Sequence, residues 1–172
     1  ATYTVDDVKR QLVQACRDKK TTEIDRLIGQ LDSVNLEFLS GTWDLLYCSE
    51  DVTRSSPFFT ALRQANSNSD QIFAITDAVP APLKEVGPAS QEIDTVAKTF
   101  VSRVKVATLG GMATSIMTTR CTILDENKSL RADTTKPEDS TAIKKLFGVL
   151  GDSVNAYLPP FPSGAVLEQI QP

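Results

Sequence analysis

The chain has 172 residues, a length that suits one domain around one hydrophobic core. Its 18 Lys and Arg are outweighed by 22 Asp and Glu, a net charge of −4, which argues against nucleic acid as a partner. It has no His, the commonest general base and metal ligand, and its three separated cysteines (Cys16, Cys48, Cys121) form no CxxC pair, so neither a zinc site nor a disulfide framework is expected.

No apolar run approaches the roughly 20 residues of a membrane-spanning helix. The opening ATYT has no signal-peptide pattern; cleavage of a targeting segment would leave such a start, and so would the choice of the expressed fragment.

Thr4-Val5-Asp6-Asp7 predicts a helix start, with Thr4 as the cap and Asp7 reaching back to it. Val5, Val8, Leu12 and Cys16 follow at spacings of three and four, one face of an amphipathic helix, and Arg17, Lys19 and Lys20 suit its negative end. Thr22 opens a second helix with Ile24, Leu27, Ile28 and Leu31 on one face. Together they predict a helical hairpin over residues 1–34.

After Leu39 the period changes to two. Trp43, Leu45 and Tyr47 alternate with Asp44, Leu46 and Cys48, a strand that holds the only Trp. Ser55-Ser56-Pro57 caps a short helix with Phe58, Phe59, Leu62 and Ala65 on its apolar face. Residues 71–76 are β-prone, and Pro80 and Pro82 prevent continuation. A strand is expected at 87–94 and a clearer one at 99–108, where Phe100, Ser102, Val104 and Val106 face away from Val101, Arg103, Lys105 and Ala107. Gly110-Gly111 signals a hairpin turn and 112–124 returns. Residues 125–128 turn again, 129–135 runs back, and Lys136-Pro137 ends the meander. Ser140 then caps a helix carrying Ile143, Leu146, Phe147 and Leu150, residues 159–162 are extended, and 164–169 is a last strand.

The expected fold class is mainly β. It is one domain over 1–172, with an antiparallel barrel and inserted helices over 39–172, closed or open on one side. Closure removes exposed strand edges, and a barrel of about eight strands holds one small apolar ligand. The residues expected at the barrel interior or mouth are Trp43, Leu45, Tyr47, Phe58, Phe59, Phe100, Val104 and Ile116. Trp43 has two compatible readings, packing at the barrel floor and facing a ligand. Phe58 and Phe59 are core anchors or an apolar lid. Lys144 and Lys145 beside Leu146, Phe147 and Leu150 suit either a helix over the barrel or a membrane-surface helix. The serines and cysteines lack a His partner, and the paired acids Asp6-Asp7 and Asp125-Glu126 are explained by a cap and a turn. No catalytic residue, metal or required cofactor is expected.

GTWDLLYCSE (41–50), RSSPFF (54–59), IFAITDAVPAPLKEVGPASQEI (72–93) and VSRVKVATLGGMATSIMTT (101–119) together resemble the plastid lipid-associated protein family, the plastoglobulins or plant fibrillins. The resemblance spans about residues 5–170. It implies a lipocalin-like barrel whose first strand starts Gly-x-Trp. It also implies a peripheral protein of the chloroplast, at thylakoid or plastoglobule surfaces, that binds lipophilic molecules such as a carotenoid, chlorophyll, a quinone or a fatty acid without catalysis. The alternative it carries is a scaffold subunit docked on a photosynthetic membrane complex such as a photosystem; an enzyme of lipid or quinone metabolism is a third reading. One departure stands out. Family members continue into a further strand with an Arg-Ile-Ser-Arg-like motif, whose arginine packs on the barrel Trp. Here the chain is truncated, or Arg103, Arg120 or Arg131 substitutes, or the barrel is open on that side.

Overall fold

The computed structural model describes residues 4–32, 35–49, 84–108, 111–124 and 129–170. The expected helix at 55–65, with Phe58 and Phe59, the β-prone stretch at 71–76 and the turn at 125–128 lie outside the described residues.

Two helices open the chain, α1 (Val5–Arg17) and α2 (Thr21–Ile28). The predicted capping box starts α1. The Thr4 hydroxyl accepts the Asp7 N–H and the Asp7 carboxylate accepts the Thr4 N–H, both at 3.2 Å. The hydrogen bonds from Thr4, helped by Arg10, hold the Asp7 carboxyl below its ordinary range. Val8, Ala15, Ile24 and Leu27 form one buried cluster shared by the two helices, and Leu12, Cys16, Leu31 and Tyr47 pack against it. Val5 is exposed instead of joining the cluster, because the 13-residue α1 outruns the 8-residue α2. Ile28, at the last position of α2, is exposed as well.

After a 3₁₀ turn (Leu36–Leu39) come five antiparallel strands in sequential order: β1 (Gly41–Asp44), β2 (Lys84–Asp94), β3 (Thr99–Thr108), β4 (Ala113–Leu124) and β5 (Ser129–Glu138). β3 and β4 pair without interruption from Thr99↔Thr122 to Thr108↔Ala113. The flanking ladders each contain a shift. One lies between Val86 and Ala89, where Pro88 has no N–H to offer; the other leaves Asp133 as an extra residue on β5. The β2–β3 turn is held by Asp94, whose carboxylate accepts the N–H groups of Val96 and Ala97 at 2.9 and 2.8 Å.

Several expectations are corrected. The closed barrel is not formed by the described residues: β1 and β5 are opposite edges of an open sheet. The first strand stops at Asp44 after one further bond, from the Leu45 N–H to the Ala89 carbonyl. The chain then turns toward the helices, where Tyr47 packs on their cluster and donates to the Thr21 hydroxyl at 3.2 Å. Lys136-Pro137 does not end β5, which runs on to Glu138; it is an edge strand, where proline is tolerated.

Three short helices complete the chain: α3 (Thr141–Phe147), α4 (Gly151–Tyr157) after a 3₁₀ turn (Gly148–Leu150), and α5 (Ser163–Ile170). The strand expected at 164–169 is therefore helical. Its first turn lies flush on β5. Phe161 makes two backbone bonds with Thr135, at 2.8 and 2.9 Å, and the buried Gly164 sits against the Ala132 carbonyl. A methyl group at position 164 would collide with that carbonyl oxygen and with the Asp133 backbone. Gly164→Ala is expected to destabilise the fold by about 1–3 kcal/mol in urea denaturation, because backbone cannot yield as a side chain does.

Candidate functional site

Paired residues of antiparallel strands project to the same side, so the register sorts the sheet into two faces. Three rows cross one of them. Gly41, Ile93, Phe100, Cys121 and Ala132 make the first; Trp43, Gln91, Ser102, Thr119 and Thr135 the second; Ala89, Val104, Met117 and Pro137 the third. The first row is apolar core: Phe100, Cys121 and Ala132 are buried together with Ile123, and Ile93 packs on them. The third adds the buried Val104.

The second row is polar, yet Ser102, Thr119 and Thr135 are all buried, and α5 adds Ser163, which is fully enclosed. Thr119 and Thr135 hydroxyls lie 3.3 Å apart, and Thr135 donates to the Ser163 hydroxyl at 3.2 Å. With its proton committed to Ser163, Thr135 accepts from Thr119, so three hydroxyls form one directed chain. The Ser102 hydroxyl, on the same row, has no hydrogen-bond partner among the described residues. At the edge of the row Trp43 is 48% exposed. Its indole N–H donates to the Leu39 carbonyl at 2.8 Å, which leaves the ring for contact.

The opposite face is charged. Arg103 pairs with Glu92 at 3.0 Å and Arg131 with Asp133 at 3.1 Å, while Thr118 donates to Glu138 and Thr122 to Asp133 at 2.8 and 2.7 Å. Such half-exposed pairs contribute little to stability, and they share this face with the buried Val101 and Thr118.

The structure brings Trp43, Phe100 and Val104 of the expected ligand-facing set to the first face. Ile116 pairs with Lys105 and Glu138 and so projects from the charged face. Leu45, whose N–H still bonds the Ala89 carbonyl, and Tyr47 lie beyond the end of β1, and Phe58 and Phe59 lie outside the described residues. The half-exposed Trp43 is not packed as a barrel floor. Nor does a substitute arginine cover it: Arg103, Arg120 and Arg131 all stand on the opposite face by register. The sequence reading left Gln91, Met117, Thr119, Thr135 and Ser163 out of the site. Continuing the alternation of 99–108 through the hairpin would have selected positions 115, 117, 119, 121 and 123.

Burial, reinforced by the charge of Asp133, pushes the Cys121 thiol up to about 12. It therefore stays protonated and unreactive at neutral pH. Among the described residues, no group of three His, Cys, Asp or Glu side chains is placed to hold a metal ion.

No family model, no curated protein and no solved structure matches this chain.

Two outcomes are expected from this geometry. In native protein at neutral pH, iodoacetamide should modify the half-buried Cys16 and Cys48 and leave Cys121 untouched until denaturant is added, as read by mass spectrometry of peptides. Thr135→Val should cost about 1–2 kcal/mol by breaking the hydroxyl chain, whereas Ser102→Ala should be neutral or stabilising, since it removes a buried hydroxyl with nothing to bond. Thermal denaturation of the two variants checks this contrast.

Proposed function

We propose that this chain is a non-enzymatic binder of lipophilic molecules, a lipocalin-like member of the plastid lipid-associated protein family with an N-terminal helical hairpin. Its place of work is a thylakoid or plastoglobule surface of the chloroplast. The observation that carries the reading is the three-row face, with two apolar rows flanking a line of buried hydroxyls that ends at the half-exposed Trp43. Trp43 marks the mouth. An elongated apolar molecule entering beside it gains roughly 25 cal/mol for each Å² of apolar surface buried, and the unpartnered Ser102 hydroxyl supplies a donor for a ligand oxygen. A carotenoid, a chlorophyll, a quinone and a fatty acid all answer to that description. The sequential order of β1 to β5, with Trp43 near the start of the first strand, supports the lipocalin-like reading. The shared cluster of α1 and α2 supports the hairpin.

A scaffold role on a photosynthetic membrane complex is the second reading. It is favoured by the outer edge of β5, which among the described residues pairs only through the Thr135↔Phe161 bridge and so offers backbone groups to an added strand.

Because Trp43 is the only tryptophan, fluorescence excited beyond the absorption of the three tyrosines reports on this site alone. Titration with a long-chain quinone or a carotenoid in detergent-free buffer should quench it saturably. Absence of quenching across a panel of lipophiles, with no pigment or quinone extracted from the purified protein, would overturn ligand binding. Co-migration of the ligand-free chain with a thylakoid complex in native gels would then favour the scaffold.

A further inference from the structure

α3 has no buried residue, an unexpected property for a helix attached to a sheet. Its geometry is nevertheless tightly set. The Ser140 hydroxyl caps it by accepting the Ile143 N–H, and Gly148, at φ +53°, ends it in a conformation that favours glycine. Gly151, at the start of α4, lies so close to α3 that a methyl group there would collide with the Lys144 backbone. At the far end of α4, the Asn155 amide accepts the Ser140 N–H and donates to the Ser140 carbonyl, both at 3.1 Å. The two helices are thus fastened at base and bend, with residues 146–150 at the apex.

That apex is apolar and open. Leu146, Phe147, Val149 and Leu150 are all exposed, Val149 completely. No side chain between 146 and 150 can donate or accept a hydrogen bond. The charges directly behind it are balanced. Lys144 lies 2.6 Å from Asp139 and 3.1 Å from Asp152, and the Lys145 ammonium donates to the Met112 carbonyl at 2.7 Å.

We propose that this apex is a wedge that docks the chain on a lipid surface, its four apolar side chains entering the acyl region of a zwitterionic lipid layer. The shape selects lipid over protein. A protruding bend with no polar side chain needs a matching cleft in a protein partner, whereas acyl chains conform to it. The charge selects the lipid class: two lysines are offset by two aspartates, so attraction to anionic headgroups is not the driving force. Lys144 and Lys145, within a turn of the apex, place their ammonium groups at headgroup depth while their stems extend the apolar surface. The inference rests on the reading that the chain works at a lipid surface, not on its binding a ligand at Trp43.

The test is flotation of the full chain with phosphatidylcholine vesicles. The wild type is expected to float with them, equally well in high salt and when phosphatidylglycerol is added. Val149→Asp/Leu150→Asp should reduce partitioning by about 100-fold or more, from the apolar burial lost at two side chains. Both positions are solvent-exposed, and unchanged circular dichroism with retained Trp43 quenching shows that the variant is folded. Three results would overturn the wedge: no flotation of the wild type, flotation of the double variant at the wild-type level, or flotation that requires phosphatidylglycerol and is lost in salt. A wild-type dimer split by the double variant, with flotation unchanged, would make the apex an interface between copies instead. Wild-type protein that does not float but still shows Trp43 quenching defeats the wedge alone; wild-type protein that shows neither defeats the functional reading as well.

Discussion

The pairing of Phe100 with Cys121 is the constraint on which the rest of the sheet depends. It belongs to the one long ladder that carries no shift, and it decides the parity of every residue in β3 and β4. A slip of one position would turn Phe100, Val104 and Cys121 out to the charged face and bring Arg103, Lys105 or Arg120 into the core. The desolvation of even one such charge exceeds what a well-paired ladder returns, so the register has no close competitor. β2 and β5 can then tolerate their irregularities, because each is aligned against a neighbour whose faces are already determined.

The extra residue on β5 shows how one irregularity serves both faces. Asp133 accepts from Thr122 and Arg131 on the charged side. The adjacent Ala132 carbonyl lies where Gly164 meets β5, and this seats α5 so that Ser163 reaches the Thr135 hydroxyl. A residue with a side chain at 164 would lift the helix off and leave Thr135 without its acceptor. The buried hydroxyls, the bulge and a single glycine are therefore one device, built from residues far apart in sequence.

How much of this could be read beforehand follows from the range of the forces involved. The capping box at Thr4 and Asp7 and the strand at 99–108 were legible, since each is governed by neighbours within a few residues. The end of β1 was not, because Tyr47 is drawn off the sheet by the cluster shared by α1 and α2, far from it in the chain. That Ile116 stands on the face opposite Phe100 and Val104 was not legible either, because its face depends on how the hairpin aligns, not on its own apolar character. The helix at α5 was missed for a related reason: the packing of Gly164 on a distant carbonyl overrides a weak local preference. Leu146, Phe147 and Leu150 were recognised as an apolar face, but residue type is silent on whether such a face is covered.

The strand order carries a consequence for how the molecule assembles. Each strand from β2 to β5 neighbours the one next in sequence, so these ladders close through short segments and should form early. β1 is separated from its partner β2 by residues 45–83, and most of the loop-closure entropy of the sheet falls on that single step. With only Gly41 to Asp44 to hold it, β1 is the last strand to add and the first to detach. Because Trp43 travels with it, the tryptophan marks the final stage of folding, and any molecule that bridges Trp43 to the interior also acts as a clasp on the least secure strand.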